Sequence, residues 1–130
     1  MSDYSTPLRR ARGLGSAKTG VGHFIGQRVS AVALLLLAPW ALWSGYRLAG
    51  HGYETANAWL GRPTHAALLI LLVLAGFYHG QLGVRVIIED YIGPGLTRTA
   101  LLILNIFVAA AVATLAVVCI LGVALGSGTV

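Results

Sequence analysis

The residues that could most clearly do chemistry lie in the second half of one long apolar run: His79 lies inside it, and Asp90 and Tyr91 close it. Successive residues of an α-helix turn by about 100° and rise by about 1.5 Å. His79 and Asp90, eleven positions apart, therefore lie within about 20° of one face and about 16 Å apart along the axis. This face carries an imidazole, which can bind a metal, and an ionisable carboxylate beside a phenol. The sequence thus predicts a ligand-binding helix that other elements must hold in place.

Composition places that helix in a membrane. The chain has 130 residues, of which 57% are hydrophobic and 10% are charged. A water-soluble domain needs more charge than this to cover its surface. Three apolar runs, at about residues 24–49, 66–89 and 99–125, each exceed the roughly 20 residues that cross a bilayer core. We therefore predict an all-α membrane protein with three transmembrane helices over residues 23–126, which leaves no room for a soluble catalytic domain.

The net charge of +5 is concentrated at one end of the chain. The cluster before or at the start of the first span consists of Arg9, Arg10, Arg12, Lys18 and Arg28. Basic residues flanking a first span mark the cytoplasmic side, so the distribution argues against nucleic acid binding and predicts a cytoplasmic N-terminus. In this orientation the loop of residues 50–65 is the outer loop and that of residues 89–98 is the inner one. Arg85 and Arg98 flank the inner loop and agree with the orientation, whereas Arg47 and Arg62 lie near the outer loop.

Residues 1–22 are polar, basic and rich in glycine, which predicts a cytoplasmic arm. An acid-poor start with arginine and serine also resembles an organelle transit peptide. We favour a retained arm, because few residues precede the first span. A bacterial inner membrane is therefore the expected location, with the mitochondrial inner membrane as the alternative.

The neighbours of His79 on its helix face are small except for Leu82. These neighbours are Ala75, Gly76, Leu82 and Gly83, with Gly80 adjacent in sequence. They leave a flat recess that suits close helix packing or a planar macrocycle. A histidine within a membrane is costly unless it is paired or ligating, and haem iron takes axial imidazole ligands. A second axial ligand would then come from a partner subunit. The alternative is that His79 only hydrogen-bonds to a neighbouring helix.

The helix end could serve a quinone. Tyr91 has a hydroxyl that can donate to a quinone carbonyl oxygen, and Asp90 could orient it or relay protons to water. The alternative is an ordinary interfacial acid beside an aromatic-belt tyrosine. Arg28 has two interpretations as well: it extends to lipid head groups, or it pairs with an anion such as a cofactor carboxylate.

The remaining polar residues carry no predicted function. His51 and His65 are expected to be solvated, and residues 57–60 to form a surface turn of the outer loop. Cys119, the only cysteine, is expected to be buried in apolar surroundings. A single cysteine excludes a disulfide or an iron–sulfur cluster held by this chain alone.

At these residues the sequence resembles a known family. His79, with Asp90 and Tyr91 eleven and twelve positions later on the second of three helices, is similar to the D-type membrane anchor of succinate dehydrogenase, respiratory complex II. The segments 13–20 and 27–32 resemble that family's entry to its first helix. The His-Arg-Pro signature of the C-type anchor is missing.

The resemblance implies roles for individual residues. His79 would be an axial ligand of haem b, in a helix bundle shared with a C-type anchor subunit. Arg28 and, more weakly, His23 would lie near the haem, and Asp90 and Tyr91 would border the ubiquinone site. FAD and iron–sulfur clusters would belong to a flavoprotein and an iron–sulfur subunit. This chain would have no catalytic residue for succinate oxidation and would help to pass electrons to quinone.

Two rival functions share this architecture. One is the anchor of a fumarate reductase that uses menaquinone. The other is a purely structural anchor, without haem, in which His79 only packs. A channel or transporter is poorly supported, because three helices with one acid at an end provide no polar pathway across a membrane.

Overall fold

A computed structural model describes residues 6–8 and 20–126. Its helices are α1 (Gly20–Leu48), α2 (Tyr53–Leu60), α3 (Pro63–Tyr91) and α4 (Leu96–Ala124). The described residues contain no strand, so the prediction of an all-α chain is confirmed. Most of the N-terminal basic cluster and most of the segment 13–20 lie outside the described residues, so the predicted arm is not described beyond residues 6–8 and 20–22.

Three of the helices are long and apolar enough to cross a membrane, as the sequence predicts. Each has 29 residues, which corresponds to about 43 Å at 1.5 Å per residue. The helices begin three or four residues earlier than the apolar runs, at Gly20, Pro63 and Leu96. The first turn of a helix needs no apolar side chains, so hydropathy underestimates these starts. Pro63 in the first turn of α3 loses no backbone hydrogen bond there.

The second long helix is the centre of the fold. Helix α3 packs against both α1 and α4, and no comparable contact joins α1 to α4 within the described chain. A hydrogen bond from the Asn105 side-chain amide of α4 to the Gln81 carbonyl oxygen of α3 measures 2.9 Å. The helices therefore form a row around α3, the helix that carries His79, Asp90 and Tyr91.

Very little of the chain is buried by its own packing. The buried apolar residues of the described chain are Ala66, Leu82, Ile88 and Ala113. Large apolar side chains along all three long helices are exposed, which is the surface expected to face lipid or other subunits. The prediction of a buried Cys119 is wrong for this chain, because α4 presents that residue on its exposed side.

The C-terminal half of α1 and the N-terminal end of α3 meet in an aromatic stack. The ring of Trp59 in α2 lies 4.3 Å from the ring of His65 in α3 and 5.8 Å from that of Trp40 in α1, centroid to centroid. His65 Nδ1 is also 2.8 Å from the Trp59 carbonyl oxygen. The prediction that His65 is solvated is therefore wrong, because this stack covers it, and residues 57–60 belong to helix α2 rather than to a turn. His51 is exposed, as predicted.

Candidate functional site

The candidate site is centred on a contact between α1 and α3. His79 lies near the midpoint of α3, and its Nδ1 atom is 3.0 Å from the hydroxyl oxygen of Ser30 on α1. The imidazole is half-buried, whereas Ser30 is only 4% exposed. Leu82, one turn from His79, is also buried against α1, near Gly26. The contact between α1 and α3 thus holds the Nδ1 edge of the imidazole ring.

The second ring nitrogen of His79 remains free. Nε2 makes no hydrogen bond to the described residues, and it is not one of their fully buried unpartnered atoms, so it reaches the surface of the chain. A Cβ atom added at Gly80 or Gly83 would meet nothing within 4 Å, and one at Gly76 would meet only Leu34, at 3.9 Å. The helix surface around His79 is therefore open to a large flat group.

A polar stripe runs along the buried side of α1. His23, Gln27 and Ser30 are spaced by four and three residues, which places them on one helical face. His23 Nε2 and Gln27 Oε1 are buried without a hydrogen-bond partner in the described residues. Burying a polar atom without a partner costs about 1–3 kcal/mol, so these two atoms indicate where a missing polar group would be stabilised.

Arg28 lies away from this contact. It is two positions from Ser30, which turns its side chain by about 200° around the helix. Arg28 is exposed, and its guanidinium carbon lies 5.1 Å from the centre of the Phe24 ring. The structure thus does not bring Arg28 to His79 within this chain. Its charge faces the outside of the row of helices.

Asp90 and Tyr91 close the C-terminal end of α3. Both are exposed, and Tyr91 retains 85% of its accessible surface. No hydrogen bond joins Asp90 to Tyr91 among the described residues, so the orienting role expected of Asp90 is not seen in the isolated chain. The nearby acid Glu89 is bonded to Arg85, with 2.8 Å between Oε1 and Nε. Of the acids at this helix end, Asp90 is the unpaired one.

A cleft between α1 and α3 lies beside the His79 contact. Its volume is about 600 Å³, and its lining includes Gly26, Ser30, Ala75 and Tyr78. A Cβ atom at Gly26 would lie 2.5 Å from the Tyr78 hydroxyl, so glycine is what allows this close approach of the two helices. The cleft is almost entirely apolar.

No group of three or more histidine, cysteine or acidic side chains gathers within the described parts of the chain. A metal in this region would therefore need ligands from a cofactor or from another subunit. His79 can supply one nitrogen, and the residues present fit a planar iron complex that brings its own equatorial ligands.

Sequence reasoning missed the role of Ser30 and Gln27. The signal was present, because His23, Gln27 and Ser30 repeat at helical spacing inside an otherwise apolar run. That periodicity predicts a polar stripe. It does not tell which residue of α3 the stripe meets, since that depends on how α1 and α3 are aligned, and Ser30 and His79 are 49 positions apart.

The family model and the most similar relatives indicate the same family. The family described as succinate dehydrogenase/fumarate reductase transmembrane subunit matches residues 2–121. A relative from Paracoccus denitrificans, named succinate dehydrogenase hydrophobic membrane anchor subunit, is 39% identical over 117 residues, covering 87% of this chain and 91% of the relative. Relatives of the same name from Rickettsia bellii and Rickettsia conorii are 35% and 32% identical over 103 residues. Both cover 78% of this chain, with 81% and 82% of the relatives' lengths. No solved structure gives a significant match.

Proposed function

The chain belongs to the family of succinate dehydrogenase/fumarate reductase transmembrane subunits, as a hydrophobic membrane anchor of the succinate dehydrogenase type, and on that premise we propose two functions for it. The first is to hold haem b together with a C-type anchor subunit. The second is to form part of the site at which ubiquinone accepts electrons from the iron–sulfur subunit. The flavoprotein subunit would oxidise succinate.

The observation that carries the haem proposal is that one ring nitrogen of His79 has a partner and the other has none among the described residues. Its imidazole lies near the middle of a membrane-spanning helix, with Nδ1 held by Ser30 and Nε2 free at the surface of the chain. A deeply placed histidine with one free nitrogen is costly in a membrane unless it binds something. The open surface at Gly80 and Gly83 gives a macrocycle room to approach the helix.

His79 Nε2 would bind the haem iron, and a second ligand would come from the partner anchor subunit. The bound haem would supply a one-electron carrier within the membrane. His23 and Gln27 lie on the same face of α1 as Ser30, and the imidazole N–H of His23 and the amide N–H of Gln27 would be the groups that donate to polar substituents at the cofactor edge. Arg28, exposed on the opposite side of α1, would act as a positive charge toward the cofactor or quinone only where a partner subunit covers that side.

Tyr91 and Asp90 support the quinone proposal. An exposed phenol at the helix end can donate a hydrogen bond to a quinone carbonyl oxygen. The unpaired carboxylate of Asp90 can accept a proton from water and pass it to the phenol or to the bound quinone. In the orientation predicted from the basic residues, both groups would lie at the inner membrane edge, where water and the iron–sulfur subunit would meet the bundle. The proposed location is a bacterial inner membrane with a cytoplasmic N-terminus.

A difference spectrum tests the haem proposal. The chain is purified with its partner subunits, and the dithionite-reduced minus oxidised spectrum is recorded for the wild type, His79→Ala and the control His51→Ala. We expect a b-type signal in the wild type and the control, and its loss in His79→Ala, because only His79 would ligate the iron. A wild-type complex without a b-type signal, or a His79→Ala complex with an unchanged one, would refute the assignment.

A further inference from the structure

We propose that Ser30 is the positioning residue for His79: its hydroxyl accepts a hydrogen bond from Nδ1–H and so keeps Nε2 unprotonated and aimed at the iron. This inference rests on the proposed haem function. It adds to that function a residue on a different helix, whose side chain would tune the ligand without touching the cofactor.

Ser30 differs from the other polar residues of the described chain in its burial. It is the buried polar residue of the described part, in a protein whose helices otherwise expose most of their surface. Its hydroxyl oxygen lies 2.8 Å from the Gly26 carbonyl oxygen, 3.1 Å from the Gln27 carbonyl oxygen and 3.0 Å from His79 Nδ1. Three polar atoms therefore surround one hydroxyl group.

The distances assign the single hydroxyl proton. Carbonyl oxygens only accept hydrogen bonds, and 2.8 Å is the usual length of an O–H···O bond, about 2.7–2.8 Å. The proton of Ser30 thus points back along α1 to Gly26. Toward His79 the hydroxyl oxygen presents a lone pair, and 3.0 Å matches the usual N–H···O length of about 2.9–3.0 Å. His79 Nδ1 is therefore the protonated nitrogen.

This tautomer is the one that a metal ligand requires. A neutral imidazole carries one N–H, so a proton on Nδ1 leaves a lone pair on Nε2. Ligating histidines almost always donate their other N–H to an acceptor, which fixes the ring and raises its basicity. A more basic imidazole favours ferric over ferrous iron, because it donates more electron density to the metal. Ser30 would thus strengthen haem binding and lower the haem midpoint potential.

The test uses the purified complex with all its subunits. Haem affinity is measured by transfer to a competing apoprotein, and the midpoint potential and the low-spin ferric EPR spectrum are recorded. The variants are Ser30→Ala, Ser30→Thr and the control Ser44→Ala. Ser44 is half-buried on the same helix, fourteen residues further along, which is about 21 Å from Ser30.

We expect Ser30→Ala to bind haem about 10- to 100-fold more weakly, the usual effect of losing such an outer-shell partner. Its midpoint potential should rise, by about 59 mV for each tenfold loss of ferric relative to ferrous affinity. Ser30→Thr, which keeps the hydroxyl, should restore both values, and Ser44→Ala should change neither. If Ser30→Ala does not assemble, Ser30→Cys is measured instead. Its thiol is a weaker acceptor and should shift both values in the same direction.

The outcomes separate this proposal from the haem proposal. A wild-type complex without haem refutes haem binding itself. A haem that is lost in His79→Ala but keeps its affinity, potential and EPR spectrum in Ser30→Ala leaves the proposed function intact and refutes the role of Ser30. Lower thermal stability of Ser30→Ala with an unchanged potential would also refute it, since it would mean that Ser30 only packs α1 on α3.

Discussion

Replacing Tyr91 by phenylalanine tests the quinone site with little disturbance of the fold. Tyr91 is 85% exposed and its hydroxyl makes no hydrogen bond to the described residues. Removing that oxygen leaves no buried atom unpaired, so the free energy of unfolding should change by no more than about 0.5 kcal/mol. A loss of activity in Tyr91→Phe would therefore arise from the reaction or from quinone binding.

The expected loss follows from one hydrogen bond. A neutral hydrogen bond contributes about 0.5–1.5 kcal/mol net, and about 1.4 kcal/mol corresponds to a factor of ten. If the phenol donates to the quinone carbonyl oxygen, succinate-driven ubiquinone reduction should fall about 2- to 13-fold. Reduction of an artificial dye that accepts electrons before the membrane domain should not change, because Tyr91 has no role in that step.

The two rates are measured on the same membranes and normalised to assembled complex. The control is Tyr53→Phe, at the start of α2 and far from Tyr91 along α3, where the tyrosine is 72% exposed. It should leave both rates unchanged. An unchanged ubiquinone rate in Tyr91→Phe would refute the role of the phenol, and an equal fall of both rates would indicate a defect in assembly.

Two further substitutions test the row of helices. Asn105→Leu removes the 2.9 Å hydrogen bond between α4 and α3 and should destabilise the protein by about 0.6 kcal/mol, the average for such bonds in membranes. Unfolding in detergent would measure this loss, and the exposed Thr114→Val on the same helix should show none. Gly26→Val should cost about 1–3 kcal/mol in the same measurement, because even its Cβ would lie 2.5 Å from the Tyr78 hydroxyl. Gly22→Val, with nothing within 4 Å, is its control; equal effects at the two glycines would refute the close approach of α1 and α3.

The spans were predictable because a membrane leaves few choices. A backbone in hydrocarbon must satisfy its own hydrogen bonds, so three apolar runs of sufficient length imply three helices, and the structure has three. His79 could be singled out for a similar reason, since an imidazole at that depth needs a partner. Both predictions need only the sequence of a single helix and no knowledge of which helices are in contact.

The features that sequence did not predict depend on which helices meet. The partner of His79 is Ser30, 49 positions earlier, and no local pattern determines that alignment. His65 was misjudged for the same reason, because its stacking partner Trp59 belongs to a short helix of eight residues. The exposure of Cys119 follows from the row arrangement, in which α4 packs mainly on α3, has a smaller contact with α2, and makes no comparable contact with α1 within the described chain.

The aromatic stack and the Ser30–His79 contact join α1 to α3 at two heights. Along α1, Trp40 lies about 15 Å from Ser30, and along α3, His65 lies about 21 Å from His79. Two helices fastened at two points neither slide nor rotate independently. When the bilayer is thicker or thinner than the spans, α1 and α3 must then tilt together as one unit. The His79 imidazole keeps its alignment with Ser30 in either case, so a change in bilayer thickness leaves this contact in place.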